Sequence, residues 1–198
     1  MNAARRHPAA TLTLIAAAIV ALTAVTLNVP GSVPPAGTIV HVGGSRPTYD
    51  VADLVARADA VAIIEPIKGV HVHWNSVDNR PWAEDAMGVK SHILRDQTVK
   101  VVRGLFGPLP DEQFLLRGFG GTVDDVTLVY EEEPDLEAGQ IYLAFLRRGE
   151  LRFREGSEES WVLLAQGHGL FTTRDGQRWS NIVGLTVDQE YLDTISIP

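Results

Sequence analysis

The chain has 198 residues, a formal net charge of −8 and no cysteine. The missing cysteine excludes disulfides, a thiol nucleophile, thiolate metal sites and acylation at a lipobox. With Arg5 and Arg6 set aside, 15 basic residues face 25 acidic ones, and this excess repels nucleic acid and anionic headgroups, which argues against a nucleic-acid function.

Arg5 and Arg6 precede an uncharged apolar run over residues 9–29, closed by Pro30. A helix rises about 1.5 Å per residue, so some twenty residues cross a core roughly 30 Å thick. The best small-x-small site, Ala24-Val25-Thr26, lies inside the apolar run, and a cut after Ala24 places Leu22 poorly. The expectation is an uncleaved signal anchor over residues 1–30, held in a membrane through residues 9–29. A cleaved signal and a secreted product are the alternative. Both early arginines lie before the run, which predicts a cytoplasmic N-terminus and a domain on the far side. Residues 31–46, beginning Gly31-Ser32-Val33-Pro34-Pro35, read as a flexible Pro/Gly-rich stalk. Residues 47–198 have the length of a single extracytoplasmic domain with a core of its own. The absence of cysteine and of N-x-S/T acceptor sites points to a bacterial source.

Pro47-Thr48-Tyr49-Asp50 opens a short helix with Val51, Leu54, Val55 and Ala58 on one face. Ala60 to Ile64 is a β-type run, and a strand resumes from Ile67 to Trp74. Residues 75–90 read as a long surface loop. Strand patterns follow at His92 to Val102, ending in a turn at residues 103–108, and at Gln113 to Arg117. The segment from Thr122 to Val129 reads as strand, and Ile141 to Leu146 is a strong one. Trp161 to Ala165 and Gly169 to Thr173 complete the core, Arg174-Asp175-Gly176-Gln177 is a hairpin turn, and residues 187–195 read as a closing helix. Short strands at regular spacing with few helices predict a mainly β fold, a small barrel or sandwich.

The order of these pieces resembles a known group. A helix ending Ala58-Asp59-Ala60-Val61 runs straight into a strand, and a strand ends Val101-Val102-Arg103-Gly104. Then come Leu136-Glu137-Ala138-Gly139-Gln140-Ile141-Tyr142-Leu143-Ala144-Phe145-Leu146 and Gly167-His168-Gly169-Leu170-Phe171. Over residues 48–180 the chain resembles exported, largely uncharacterised bacterial proteins. Their domain is similar to the OB-type barrel of netrin-like modules and tissue inhibitors of metalloproteinases. The resemblance implies a five-stranded barrel with helices and little about activity. The metalloproteinase inhibitors act through a free N-terminal cysteine that this chain lacks, so that mechanism does not carry over.

Chemistry-bearing motifs are few. In His71-Val72-His73-Trp74 the two imidazoles share a strand face, which makes His71 and His73 candidate ligands for a divalent metal, with His92, His168 or Glu84 as a third. The bland reading is two histidines facing solvent. Gly118-Phe119-Gly120-Gly121-Thr122 follows a strand but opens no helix and holds no lysine, so it reads as a barrel bend and not a phosphate loop. Asp124-Asp125, Glu131-Glu132-Glu133, Asp135 and Glu137 read as a solvated acidic face. Of the tryptophans, Trp161 reads as core, and Trp82 and Trp179 as near loops; the four with Trp74 are candidates to line a groove. No Gly-x-Ser-x-Gly elbow and no His-Glu-x-x-His motif occurs. The expectation is a binding module that needs no cofactor, with an envelope protein, peptide or glycan as partner. A metal-binding protein or metal-dependent enzyme built on His71 and His73 is the alternative.

Overall fold

A computed structural model of the chain describes residues 36–43, 48–67, 69–83, 90–108 and 112–195. In chain order they form β1 (Ile39–Val42), α1 (Val51–Arg57), β2 (Ala60–Pro66), β3 (His71–Trp74), β4 (Ile93–Phe106), β5 (Gln113–Phe119), β6 (Gly121–Val123) and β7 (Val126–Tyr130). β8 (Tyr142–Phe153), β9 (Gly156–Leu163), a 3₁₀ turn (Gln166–Gly169), β10 (Leu170–Thr173), β11 (Arg178–Ser180), β12 (Thr186–Asp188) and α2 (Gln189–Ile195) follow.

Five strands, β2, β4, β5, β9 and β8, close into a barrel. Every neighbouring pair is antiparallel except β5 with β9, which run parallel. Counted along the chain, the third barrel strand lies beside the fifth, and the fifth beside the fourth, which returns to the first. This is the Greek-key order of an OB-type barrel, and it decides for a barrel over the sandwich that strand spacing left open.

Alternation along β2 and β8 explains both cores. Ala60, Ala62 and Ile64 with Tyr142, Ala144 and Leu146 join Val99, Phe114 and Leu116 in one apolar cluster. Val61, Ile63, Leu143 and Phe145 point the other way and are buried again, beneath Leu54 of α1, Phe171, Trp179 and Leu192 of α2. Two buried faces account for a continuous apolar run at residues 60–64 where a half-exposed strand would alternate. α1 is seven residues long. It starts at a capping box, with Asp50 Oδ1 accepting from the Asp53 amide at 2.8 Å, and it persists by burying Leu54.

Several boundaries differ from the sequence reading. β4 continues through Arg103 and Gly104 to Phe106, and register shifts against β2 let it bend there. The single strand expected from Thr122 onward is a hairpin, β6–β7, turning at Asp124 with φ of 50°. Residues 39–42, within the expected stalk, form β1 and pair in parallel with β7. β12 precedes α2 in the segment read as one closing helix. The two described ends of the 75–90 segment fold inward: the Asn75 amide donates to the carbonyls of Lys90 and Arg152, and Trp82 is buried. The expected membrane segment, residues 9–29, lies outside the described residues. Among the described residues no helix is long and apolar enough to cross a membrane.

Candidate binding site

β3 lies antiparallel on β4, with His71 opposite Asp96 and His73 opposite Leu94. The two imidazoles share a face, as their spacing predicts, and stack with centroids 5.2 Å apart. His73 is fully engaged, however. Its Nδ1 lies 2.8 Å from the Trp74 carbonyl and its Nε2 3.1 Å from Asp96 Oδ2. Both partners are pure acceptors, so both ring nitrogens carry protons and neither offers a lone pair to a metal. His92 and His168 have partners of their own. His92 Nδ1 shares a hydrogen bond with the Tyr130 hydroxyl at 2.8 Å, and burial pushes its pKa down. His168 sits in the 3₁₀ turn, 3.9 Å from Glu132. Glu84 lies outside the described residues. Among the described residues no group of three or more His, Asp or Glu side chains is placed to hold a metal ion.

What the histidines meet instead is a buried ion-pair network. Asp96 on β4 stands opposite Arg117 on β5. Arg117 Nε donates to Asp96 Oδ1 at 2.6 Å and Nη2 to Oδ2 at 2.7 Å, a bidentate clamp. Arg117 Nη1 reaches Glu158 at 3.0 Å, and its guanidinium lies 5.3 Å from the centre of the Phe153 ring. The Arg117 and Asp96 side chains are 7% and 9% exposed, so this clamp is shielded from solvent screening. Burial alone would raise the Asp96 pKa; hydrogen bonds from Arg117 and His73 outweigh it and hold the carboxyl down at about 2. The Asp96 hydrogen bond in turn raises His73.

These shifts have opposite consequences for stability. Asp96, depressed in the fold, contributes fully above its unfolded pKa near 4, and the contribution is lost as pH falls toward 2. His73, raised in the fold, contributes fully below about 6.5, and the contribution is lost as pH rises through its folded value. The expected result is a decline in the urea midpoint above about pH 6.5 that is absent in His73→Gln. Parallel midpoint curves for the two proteins between pH 5 and 9 would refute the assigned imidazolium.

Beside this network the barrel wall opens. Among the described residues, β5 and β9 are in register at one pair, Leu116 with Trp161. Beyond it a groove is lined by Arg117, Phe119, Glu133, Val162, Ala165 and Gln166. At the end of β9 the chain turns through Ala165 and Gln166 with φ of 55° and 53°, a left-handed pair without glycine. Such conformations persist only where the surroundings enforce them, and they cluster at ligand sites. Here Gly169 is part of the enforcement: a Cβ there would stand 2.1 Å from the Leu164 carbonyl oxygen. Gln166 is buried, 9% exposed, and its Oε1 accepts no hydrogen bond from any described residue.

Glu132 and Glu133 correct the solvated-face expectation, for both are half-buried. The Glu133 carboxylate occupies the space over Gly118, where an added Cβ would lie 2.2 Å from Glu133 Oε1. The glycine stretch 118–122 is the connection from β5 into β6, with Gly120 and Gly121 at φ of 91° and 118°. The tryptophans also depart from expectation. Trp74, Trp82 and Trp179 are buried, whereas Trp161 is partly exposed under Arg148, 5.1 Å away. They anchor cores and line no groove in common.

Comparison of the chain with protein-family models, with curated proteins and with solved structures finds no match.

Proposed function

We propose that this chain is a binding module of the extracytoplasmic space, tethered to a membrane through residues 9–29 or released by cleavage there, whose barrel seats an envelope partner in the groove at the β5–β9 seam. One observation carries the reading: a buried acceptor, Gln166 Oε1, without a donor among the described residues, on a strained turn that lines an open groove. A buried unpaired acceptor is unfavourable by about 1–3 kcal/mol, and a ligand N–H would relieve that penalty once the turn shifts to bring this solvent-closed oxygen to the groove surface. The groove-lining residues are apolar, acidic, amide or guanidinium, with no hydroxyl, imidazole or amine nucleophile among them. That composition supports recognition over covalent chemistry. The OB-like barrel supplies a rigid wall behind the groove.

The test is site-specific photocrosslinking of the full-length protein in cells of its source. A photoreactive residue at Val162, inside the groove, is expected to yield a discrete adduct. The same residue at Val102, exposed on β4 outside the groove, is expected to yield none. Equal labelling at both positions, or none at either, would overturn the assignment.

A further inference from the structure

We infer that the β8–β9 ribbon beyond Leu146 is a hinged strap, latched at Asn75 across the face of β5 that carries Arg117, and that its release widens the groove at the β5–β9 seam. The strap stands on its own geometry; its control of the groove rests on the binding reading above. β8 pairs with β2 and β10 no further than Leu146, whose carbonyl accepts from the Asp59 amide at 2.9 Å. From Arg147 to Phe153 its sole ladder partner among the described residues is β9, and β9 meets β5 at the single pair Leu116 with Trp161. No residue from 147 to 162 is buried. A two-stranded ribbon without a buried face is marginal in water, so its place depends on what holds its far end.

That end sits in a built socket. The ribbon lays Glu158 on Arg117 at 3.0 Å and Phe153 against His73, with ring centres 6.4 Å apart, and then reaches the segment after β3. There buried Asn75 donates through Nδ2 to the Arg152 carbonyl at 3.0 Å, and its own carbonyl accepts from the Arg154 amide at 3.0 Å. Two exposed contacts close the tip, the Val77 amide to Glu155 Oε2 at 3.1 Å and Arg154 Nη2 to Asp78 Oδ2 at 3.2 Å. Asn75 is also held from the body: Nδ2 donates to the Lys90 carbonyl at 3.1 Å, and Oδ1 accepts from the His92 amide at 2.6 Å. Those two bonds survive departure of the ribbon, so the socket stays built when the strap leaves it. A few polar contacts without buried apolar area are the kind that open locally while the barrel stays folded. Lifting the ribbon takes Glu158 and Phe153 off Arg117, and Asp96 keeps its two-bond clamp on the guanidinium. Arg117 of β5 and Val162 of β9 both line the groove, so a ribbon that moves away from β5 widens it.

The chain has no cysteine, so two introduced cysteines can carry spin labels on the full-length protein in detergent. The labels go at Val77 and Ser157, both exposed and on the two sides of the latch. Electron paramagnetic resonance is expected to show a short spin–spin distance with a minor longer one. Asp78→Ala with Glu155→Ala removes the two exposed contacts at the tip. It is expected to raise the long population relative to the short about tenfold, with the melting temperature unmoved. Glu158→Gln, which touches Arg117 and no residue of the socket, is the second variant and is expected to raise it in the same direction. In cells, the double variant is expected to increase the yield of the Val162 photoadduct. One short distance that both variants leave unchanged overturns the strap and leaves the binding-module reading standing. A growing long population with an unchanged Val162 adduct overturns the control of the groove. Absence of the adduct from every protein removes the binding reading and that control together, while the spin labels still decide the strap.

Discussion

Replacing Asp96 by asparagine or Arg117 by methionine is expected to lower the unfolding free energy by about 3–5 kcal/mol, the range for breaking one side of a buried ion pair. The two side chains are nearly inaccessible, at 9% and 7% exposure, and each satisfies the other through two short hydrogen bonds. With Asp96 neutral, the guanidinium keeps only Glu158, which is 58% exposed and bound at a single nitrogen. His73 loses its carboxylate partner at the same time. With Arg117 gone, the Asp96 carboxyl loses the donors that hold it at about 2 and protonates closer to neutrality. The depression itself corresponds to roughly 2 kcal/mol of stability at neutral pH, so loss of the pair alone accounts for about half of the expected effect. The double change Asp96→Asn with Arg117→Met removes both charges, and it is expected to be less destabilising than the sum of the single changes by about 2 kcal/mol or more. Urea unfolding of the four proteins at pH 6 measures this coupling. Additive effects would mean that the two groups do not act as a unit, and would remove the rigid wall on which the groove depends.

The residues of this pair show what a sequence read alone makes visible. The barrel was legible because burial leaves a period. Ile141 to Leu146 and Ala60 to Ile64 are short, β-rich apolar runs that read as inner strands, and short strands at even spacing limit the architecture to a barrel or a sandwich. The pair was not legible, because Asp96 and Arg117 are 21 positions apart and meet only through the β4–β5 register. Arg117 ends an apolar stretch, Phe114-Leu115-Leu116-Arg117, as a lone charge and was the available signal, whereas Asp96 follows a second charge, Arg95. His71 and His73 were read correctly as sharing a face, but the Asp96 that claims His73 arrives from another strand. The turn at Ala165 and Gln166 left no trace, since left-handed backbone is ordinarily announced by glycine or asparagine and here by neither. Gly167 and Gly169 stand nearby, and neither has a positive φ. Glu132 and Glu133 looked like solvated charge because composition records acidity and not the fold that turns two carboxylates inward.

The turn that escaped the sequence is where the second large effect is expected. Gly169→Ala is expected to destabilise the protein by about 3 kcal/mol, whereas Gly118→Ala, the same added methyl, is expected to change stability by less than about 1 kcal/mol. The difference lies in what the methyl meets. At Gly118 the nearest atom is Glu133 Oε1 at 2.2 Å, the far end of a flexible side chain that can swing aside. At Gly169 it is the Leu164 carbonyl oxygen at 2.1 Å, with the Phe145 carbonyl 3.4 Å away. Neither backbone can yield easily. The Leu164 amide donates to the Phe145 carbonyl at 2.8 Å, and Phe145 is a fully buried residue of barrel strand β8. To admit the methyl, the end of β9 must move away from β8 or the 3₁₀ turn must be rebuilt, and either change carries Gln166 with it. Gly169→Ala is therefore expected to lose groove occupancy as well as stability. Gly118→Ala should keep its melting temperature. Thermal unfolding of both variants beside the Val162 crosslinking separates the two cases. If Gly169→Ala proves as mild as Gly118→Ala, the turn is free to relax. Gln166 is then not held in place by the fold, and the acceptor that defines the site has no fixed position.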